Sequence, residues 1–458
     1  MTKLSLITSL ILGCAVSVNA ADTFAEAFTN GKIKAELKAT YADRTDETTS
    51  YGNENLFNLG FDLGYFTDPF YGLSIGVGMQ GNGAFGVSDD IKDRNSKHNY
   101  QNEYYVNGVV LSQAYLNYGI GKTNLRFGRQ YVDNMSLVGS NNARAFKEAY
   151  EGLTIVNKDL VDTELKAGWF YKYQGRTGYI YKSDKFGKHP YFDDRVVLGG
   201  YNNTKGHDFD NIFVVDVVNK SIEGLKLTAA WAGITNVLEE AQVSASNKAE
   251  GDIHLYTLEA SHVIPLSFAK LGFDLGYKGS NAANADKHHY DGQLFQGQVT
   301  LKDLFGFNLG YAYSNVLTDD ENVILAVGLK EGTYTQLPIV GPYNYTGLAG
   351  IELHKFNLGY NFNNIGIKGL RADFNYTFGE QDAPSVSTGK TKAGENIEIK
   401  GWNVVLNYAL PQVKGLSTSL TYTSLDKENY ANGVRKTGDA RTTKQDELWW
   451  KFNYKFEI

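Results

Sequence analysis

The chain has 458 residues, with 49 glycines, 7 prolines, 31 tyrosines, 25 phenylalanines and one cysteine, and 44 basic against 51 acidic side chains. That composition is richer in glycine and tyrosine than a soluble globular domain. Beyond the first twenty residues there is no apolar stretch of about 18, which excludes a membrane protein built from helices. A net charge of −7 carries no basic bias, so nucleic acid is not an expected partner.

Residues 1–20 read as a secretory signal peptide. Lys3 supplies the positive start, Leu4 to Val18 the apolar segment, and Val18-Asn19-Ala20 a small-residue cleavage site. The mature chain is therefore expected to start at Ala21, free of cysteine and of disulfides. An alternative is lipoprotein processing at Ile11-Leu12-Gly13-Cys14. Intact-mass measurement separates the two: a chain starting at Ala21 is expected, and an acylated chain starting at Cys14 would reject that reading.

Residues 21–30 form a short N-terminal segment on the periplasmic side, in which 22–29 suits a helix with Phe24 and Phe28 on one face. From 31 to 458 a single pattern prevails. Ile33, Leu37 and Tyr41 alternate with Lys32, Lys34, Glu36 and Lys38; Phe57, Leu59, Phe61, Leu63 and Tyr65 alternate with Asn58 and Asp62. Period two over about ten residues is a strand with two unlike faces. The pattern recurs at 271–277, 305–313, 370–378 and 402–408. It closes with Leu448, Trp450, Phe452, Tyr454, Phe456 and Ile458 on one face and Trp449, Lys451, Asn453, Lys455 and Glu457 on the other. So many strands cannot share one small apolar core. A large barrel with a wet lumen and an apolar exterior facing lipid accommodates them.

Connections alternate in length. Short ones fall near 66–71, 119–123, 157–161, 219–224, 263–269, 302–304, 363–369 and 411–415. Long ones fall near 42–54, 87–103, 131–149, 175–209, 236–252, 280–291, 318–347, 381–396 and 426–445. The fold class expected is all-β: a transmembrane antiparallel β-barrel of eighteen strands, with both termini on the short-turn side. Parity is ambiguous at 149–157 and 253–262, and without those two strands the count is sixteen.

The third long loop, Tyr131 to Ala149, mixes Asp133, Arg144, Lys147 and Glu148 with the anchors Met135, Leu137, Val138 and Phe146. Such a loop can pack on a wall and present charge to the lumen. Leu125-Arg126-Phe127-Gly128-Arg129-Gln130, then Arg144, then Tyr150-Glu151-Gly152 resembles the porin D family of substrate-specific outer-membrane porins. The resemblance implies a third loop folded inward as a constriction, a basic track through it, and passive uptake of small charged solutes, typically carboxylate-bearing. Two departures are Lys147, where the family has a proline shortly after the arginine, and the terminal Ile458, where an aromatic is usual.

The expected constriction residues are Arg144, Lys147, Glu148, Asp133 and Arg129, set across a narrow pore where opposed charges select ions. Arg126, Lys166, Lys172, Lys226, Lys278 and Arg371 have lumen parity and are candidates for the basic track; Asp62, Asp216, Asp274 and Asp373 share that parity and neutralise it in part. Expected partners are outer-membrane lipid and lipopolysaccharide, small hydrophilic solutes, and the barrel-assembly machinery through the C-terminal strand. No cofactor and no metal site is expected: among the eight histidines only His288-His289 are adjacent, and neighbours on a strand face opposite ways. Two other functions remain open: a barrel hydrolase acting on lipid, for which Ser261-His262 is the one suggestive pair, and a structural or adhesive barrel that does not conduct.

Overall fold

The computed structural model describes residues 21–46, 54–85, 106–176, 189–200, 206–238, 250–282, 289–329, 332–338, 345–388, 391–436 and 443–458; the leader, Cys14 and His288 lie outside them. The alternating runs are strands β1 Lys32–Asp46, β2 Glu54–Phe66, β3 Leu73–Phe85, β4 Gly108–Ile120, β5 Thr123–Gln130 and β6 Ala149–Asn157. Next come β7 Thr163–Gln174, β8 Asn211–Asn219, β9 Leu225–Leu238, β10 Glu250–Pro265, β11 Lys270–Asn281 and β12 Gln293–Leu304. The remainder are β13 Phe307–Val316, β14 Ile351–Asn361, β15 Leu370–Gln381, β16 Glu395–Ala409, β17 Leu416–Ala431 and β18 Thr443–Glu457. The two ambiguous runs are strands, so the count is eighteen and not sixteen.

Each strand pairs antiparallel with its chain neighbours, and β1 closes on β18, with Lys34 opposite Glu457 and Tyr41 opposite Trp450. The barrel therefore has no edge. Eight short connections lie at one end with both termini, and nine longer ones lie at the other. A two-residue turn between β12 and β13 is Phe305-Gly306 with φ of 51° and 93°. Two successive positive φ values match the right-handed twist of the flanking strands. A capped helix α1, Phe24–Thr29, precedes β1.

The outer wall is apolar. Leu63, Leu116, Leu258, Leu275, Leu358 and Phe452 point outward and are 39% to 58% exposed. Taking one such side chain out of water contributes about 1.5–3 kcal/mol, so a belt of them is stable only against lipid or another apolar surface. The inner wall is not uniformly wet, contrary to the expectation from the alternation. On β8, β9 and β10 the inward residues Val214, Ala230, Ala232, Ile234, Ile253 and Leu255 are apolar and buried, in one cluster with Met135, Leu137 and Val138 of the third loop. The loop thus packs on that wall as a core would.

Parity on β15 is open to a direct test. Phe374 faces out and is 41% exposed, whereas Asn375 faces in and its Oδ1 accepts a hydrogen bond from Asn357 Nδ2 at 3.0 Å. Phe374→Lys is expected to cost about 2–4 kcal/mol near the bilayer midplane and Asn375→Lys much less. Reversible folding into lipid vesicles measures both, and equal losses would reject the assignment.

Candidate functional site: a constricted lumen

The third loop, residues 131–148, is folded into the barrel and held at both ends. On one side Asp216 Oδ2 accepts from Ser136 N at 2.8 Å and Ser136 Oγ at 3.0 Å, and Lys166 donates to the Asn134 carbonyl. On the other side Lys38 Nζ donates to Asn142 Oδ1 and Lys451 Nζ to the Ala143 carbonyl, both at 2.7 Å. Gln80 fixes Lys147 through both main-chain groups: its Oε1 accepts from Lys147 N at 2.7 Å and its Nε2 donates to Lys147 O at 2.9 Å. Phe146 fills a pocket with Val106 and Val110.

The described parts of a second loop, 317–329, 332–338 and 345–350, also fold inward. The sequence marks 318–347 only as one of the long connections. Its apolar run Val323-Ile324-Leu325-Ala326-Val327 was the available signal, since solvated loops carry few such runs. Val327 N donates to Leu137 O at 2.8 Å and Asn141 Nδ2 to Leu329 O at 2.6 Å. Beyond the constriction, Thr377 Oγ1 donates to Thr335 O at 3.0 Å and Thr423 Oγ1 to Pro338 O at 2.9 Å. The third loop covers the β6–β11 side and the second loop the β12–β17 side, and the open passage runs beside β18, β1 and β2.

That passage is bordered mainly by cations. Arg144 stacks 4.3 Å above the Trp449 ring, and Lys451 Nζ lies 4.4 Å from the same ring. Lys147 Nζ pairs with Asp133 at 2.7 Å and sits 4.4 Å over Tyr131, whose hydroxyl donates to Asp62 at 2.8 Å. On the turn side a cavity of 1060 Å³ opens, lined by Lys34, Glu36, Asp62, Tyr131, Lys147 and Lys455 among others. The register places Lys455 beside Glu36 and Lys451 beside Thr40. Lys34, Lys38, Lys451 and Lys455 thus share one seam of the wall.

The candidates from sequence fall into different places. Lys147 and Asp133 pair in the lumen, and Arg144 stacks on Trp449 of β18. Arg129 does not: it shares the outward parity of Phe127 and pairs with Glu151 at 2.8 Å on the outer rim, its guanidinium 4.5 Å over Phe192. Glu148 is wholly buried and faces no aperture; its Oε1 accepts from Tyr173 at 2.7 Å and its Oε2 from Asn141 N at 3.0 Å and Leu329 N at 3.1 Å. Lys172 is turned outward by a bulge at Tyr171, which sets it opposite Glu151 while Phe170 faces Gly152.

The other track candidates do not line up. Lys166 is spent on the loop, and buried Lys278 lies 3.4 Å from Glu259. Arg371 is forked onto Asp373, Arg126 stacks 4.3 Å over Tyr115, and Lys226 is exposed at the turn end of β9. Ser261 and His262 face opposite sides of the wall, opposite Asp274 and Phe273.

No family model matches the chain, and no curated protein does. Solved structures do match. OccK8 (OprE) of Pseudomonas aeruginosa superposes with a TM-score of 0.70 at 16% identity, covering 94% of this chain and 99% of that one. OccK9 (OpdG) of the same organism gives 0.70 at 14%, covering 94% and 100%. OpdK of Pseudomonas aeruginosa, solved with vanillate, gives 0.69 at 13%, covering 94% and 100%. The chain has the fold of these barrels over nearly its whole length.

Burial raises the Glu148 carboxyl above its ordinary range, against the opposing pull of Arg176 and three hydrogen bonds. The docked state then binds the proton more tightly than the undocked one. Docking is strongest below the ordinary glutamate pKa and weakens as pH rises through the raised value. Amide exchange at Val327 and Leu329, corrected for its intrinsic pH dependence, is expected to accelerate over that window. Glu148→Gln should flatten the effect. Glu148→Ala should loosen both loops by about 1–3 kcal/mol per lost acceptor. An unchanged pH response in Glu148→Gln would reject the role of this carboxylate.

Proposed function

We propose that the protein is an outer-membrane channel through which small hydrophilic solutes, carboxylate-bearing ones among them, diffuse passively. The observation that carries this reading is a closed barrel narrowed by two loops, with Arg144, Lys147, Lys38 and Lys451 beside the remaining passage. A guanidinium keeps its charge at physiological pH and grips a carboxylate with two parallel bonds. Behind a low-dielectric wall such charges are screened less than in bulk water. The barrels of similar fold, one of them solved with the carboxylate vanillate, support the same solute class. The opposite facing of Ser261 and His262 favours a channel over a hydrolase.

The location follows from the same features. The apolar belt takes outer-membrane lipid, the loop-side rim meets lipopolysaccharide, and β18 is the strand that barrel-assembly machinery engages. Delivery rests on the N-terminal leader.

Arg144→Ala is expected to move the reversal potential across a salt gradient towards cations and to weaken block by a carboxylate solute about tenfold or more, the loss of one charge-assisted bond. Lys451→Met should act in the same direction. Lys400→Ala, an outward residue paired with Glu398 at 3.7 Å, is the control. Planar-bilayer recordings in which Arg144→Ala matches that control would overturn the proposal.

A further inference from the structure

Helix α1 lies against the outside of the barrel, at the turn-side rim. Tyr65 stands on the outward parity of β2, opposite Ile33 and beside Val77. Its ring lies across Gly31, where a Cβ would clash with it, and its hydroxyl donates to the Phe28 carbonyl. Two further bonds stitch the segment to the first short turn: Asp68 N to Ala27 O at 2.9 Å and Ala21 N to Pro69 O at 3.0 Å. One turn of helix is too short to persist alone. Here Thr23 and Glu26 form a reciprocal cap and Ala27 is buried against the turn.

The free face of this unit is aromatic. Phe24 and Phe28 are 5.0 Å apart between ring centres, Phe24 and Phe70 are 6.0 Å apart, and Phe70 and Tyr71 are 4.6 Å apart. Phe24 is 56% exposed and Tyr71 51%. This row runs into the apolar belt through Tyr65, Ile33 and Leu73, the last bridged to Phe70.

We propose that α1 with Phe70 and Tyr71 is a foot that seats its rings in the interfacial layer of the turn-side leaflet, a proposal that rests on the reading of the barrel as membrane-spanning. Continuity with the belt names lipid as the occupant. Aromatic rings are favoured at that depth, where apolar bodies meet wet headgroups. The cap and the two turn bonds orient the helix so that Phe24 and Phe28 lead, with Thr29 about 100° round from Phe28.

The test uses single cysteines in the full chain with Cys14→Ser, which leaves no other cysteine. Phe24→Cys, Tyr71→Cys, Thr29→Cys and the belt variant Leu358→Cys each carry an environment-sensitive fluorophore. The proteins are folded into phosphatidylethanolamine–phosphatidylglycerol vesicles containing a lipid with a nitroxide near the headgroup. Quenching of the Phe24→Cys and Tyr71→Cys probes is expected to reach at least half of that of the Leu358→Cys probe, while the Thr29→Cys probe stays close to its value in detergent-free water. Phe24→Cys and Tyr71→Cys probes left unquenched beside a quenched Leu358→Cys probe would overturn the foot and leave the membrane barrel standing. Equal quenching in Phe24→Cys and Thr29→Cys would also overturn it, as dye partition without orientation. An unquenched Leu358→Cys probe would overturn the membrane reading itself, and the foot with it.

Discussion

The pairing of β1 with β18 is the constraint on which everything else rests. In lipid an unpaired strand edge leaves peptide groups with no water to bind, at several kcal/mol each. The register from Lys34 opposite Glu457 up to Thr45 opposite Asp446 removes both edges at once. The seam has a chemical consequence as well. It brings Lys34 and Lys38 from the start of the chain beside Lys451 and Lys455 from its end.

A barrel this wide leaves a lumen that strand side chains alone do not fill. Two of its own loops fold in and pack on the wall. Inward Val214, Ile253 and Leu255 would be poorly placed against water, and the third loop covers them with Met135, Leu137 and Val138. The 317–350 loop does the same on a second patch, setting Leu325, Leu337 and Tyr345 against Leu294, Leu353, Ile397 and Ile399. Buried Glu148 joins the two loops by accepting from Asn141 and Leu329. The constriction is therefore a packed structure with an apolar foundation, and its charges are presented from a fixed frame. Donors fixed in this way lose little to reorganisation on meeting a ligand.

Charge along the passage is arranged in partnership and not as a plain ladder. Lys147 is balanced by Asp133, Lys455 by Glu36, and Arg371 by Asp373. Arg144 and Lys451 share the face of Trp449.

Strand alternation, the short–long rhythm of connections and the apolar outer wall were written locally in the sequence, because side-chain parity and turn length depend mainly on near neighbours along the chain. The eighteen-strand barrel and the inward third loop were legible for that reason. Counting two residues on from Phe127 would also have placed Arg129 outside. Other features depended on contacts distant in sequence. The bulge at Tyr171 reversed Lys172, and the carboxylate of Glu148 was claimed by Leu329, a residue of another loop. The cationic seam formed only when the first and last strands met. Burial and pairing between remote segments are properties of the closed barrel, so only the tertiary structure decided which charges face the passage.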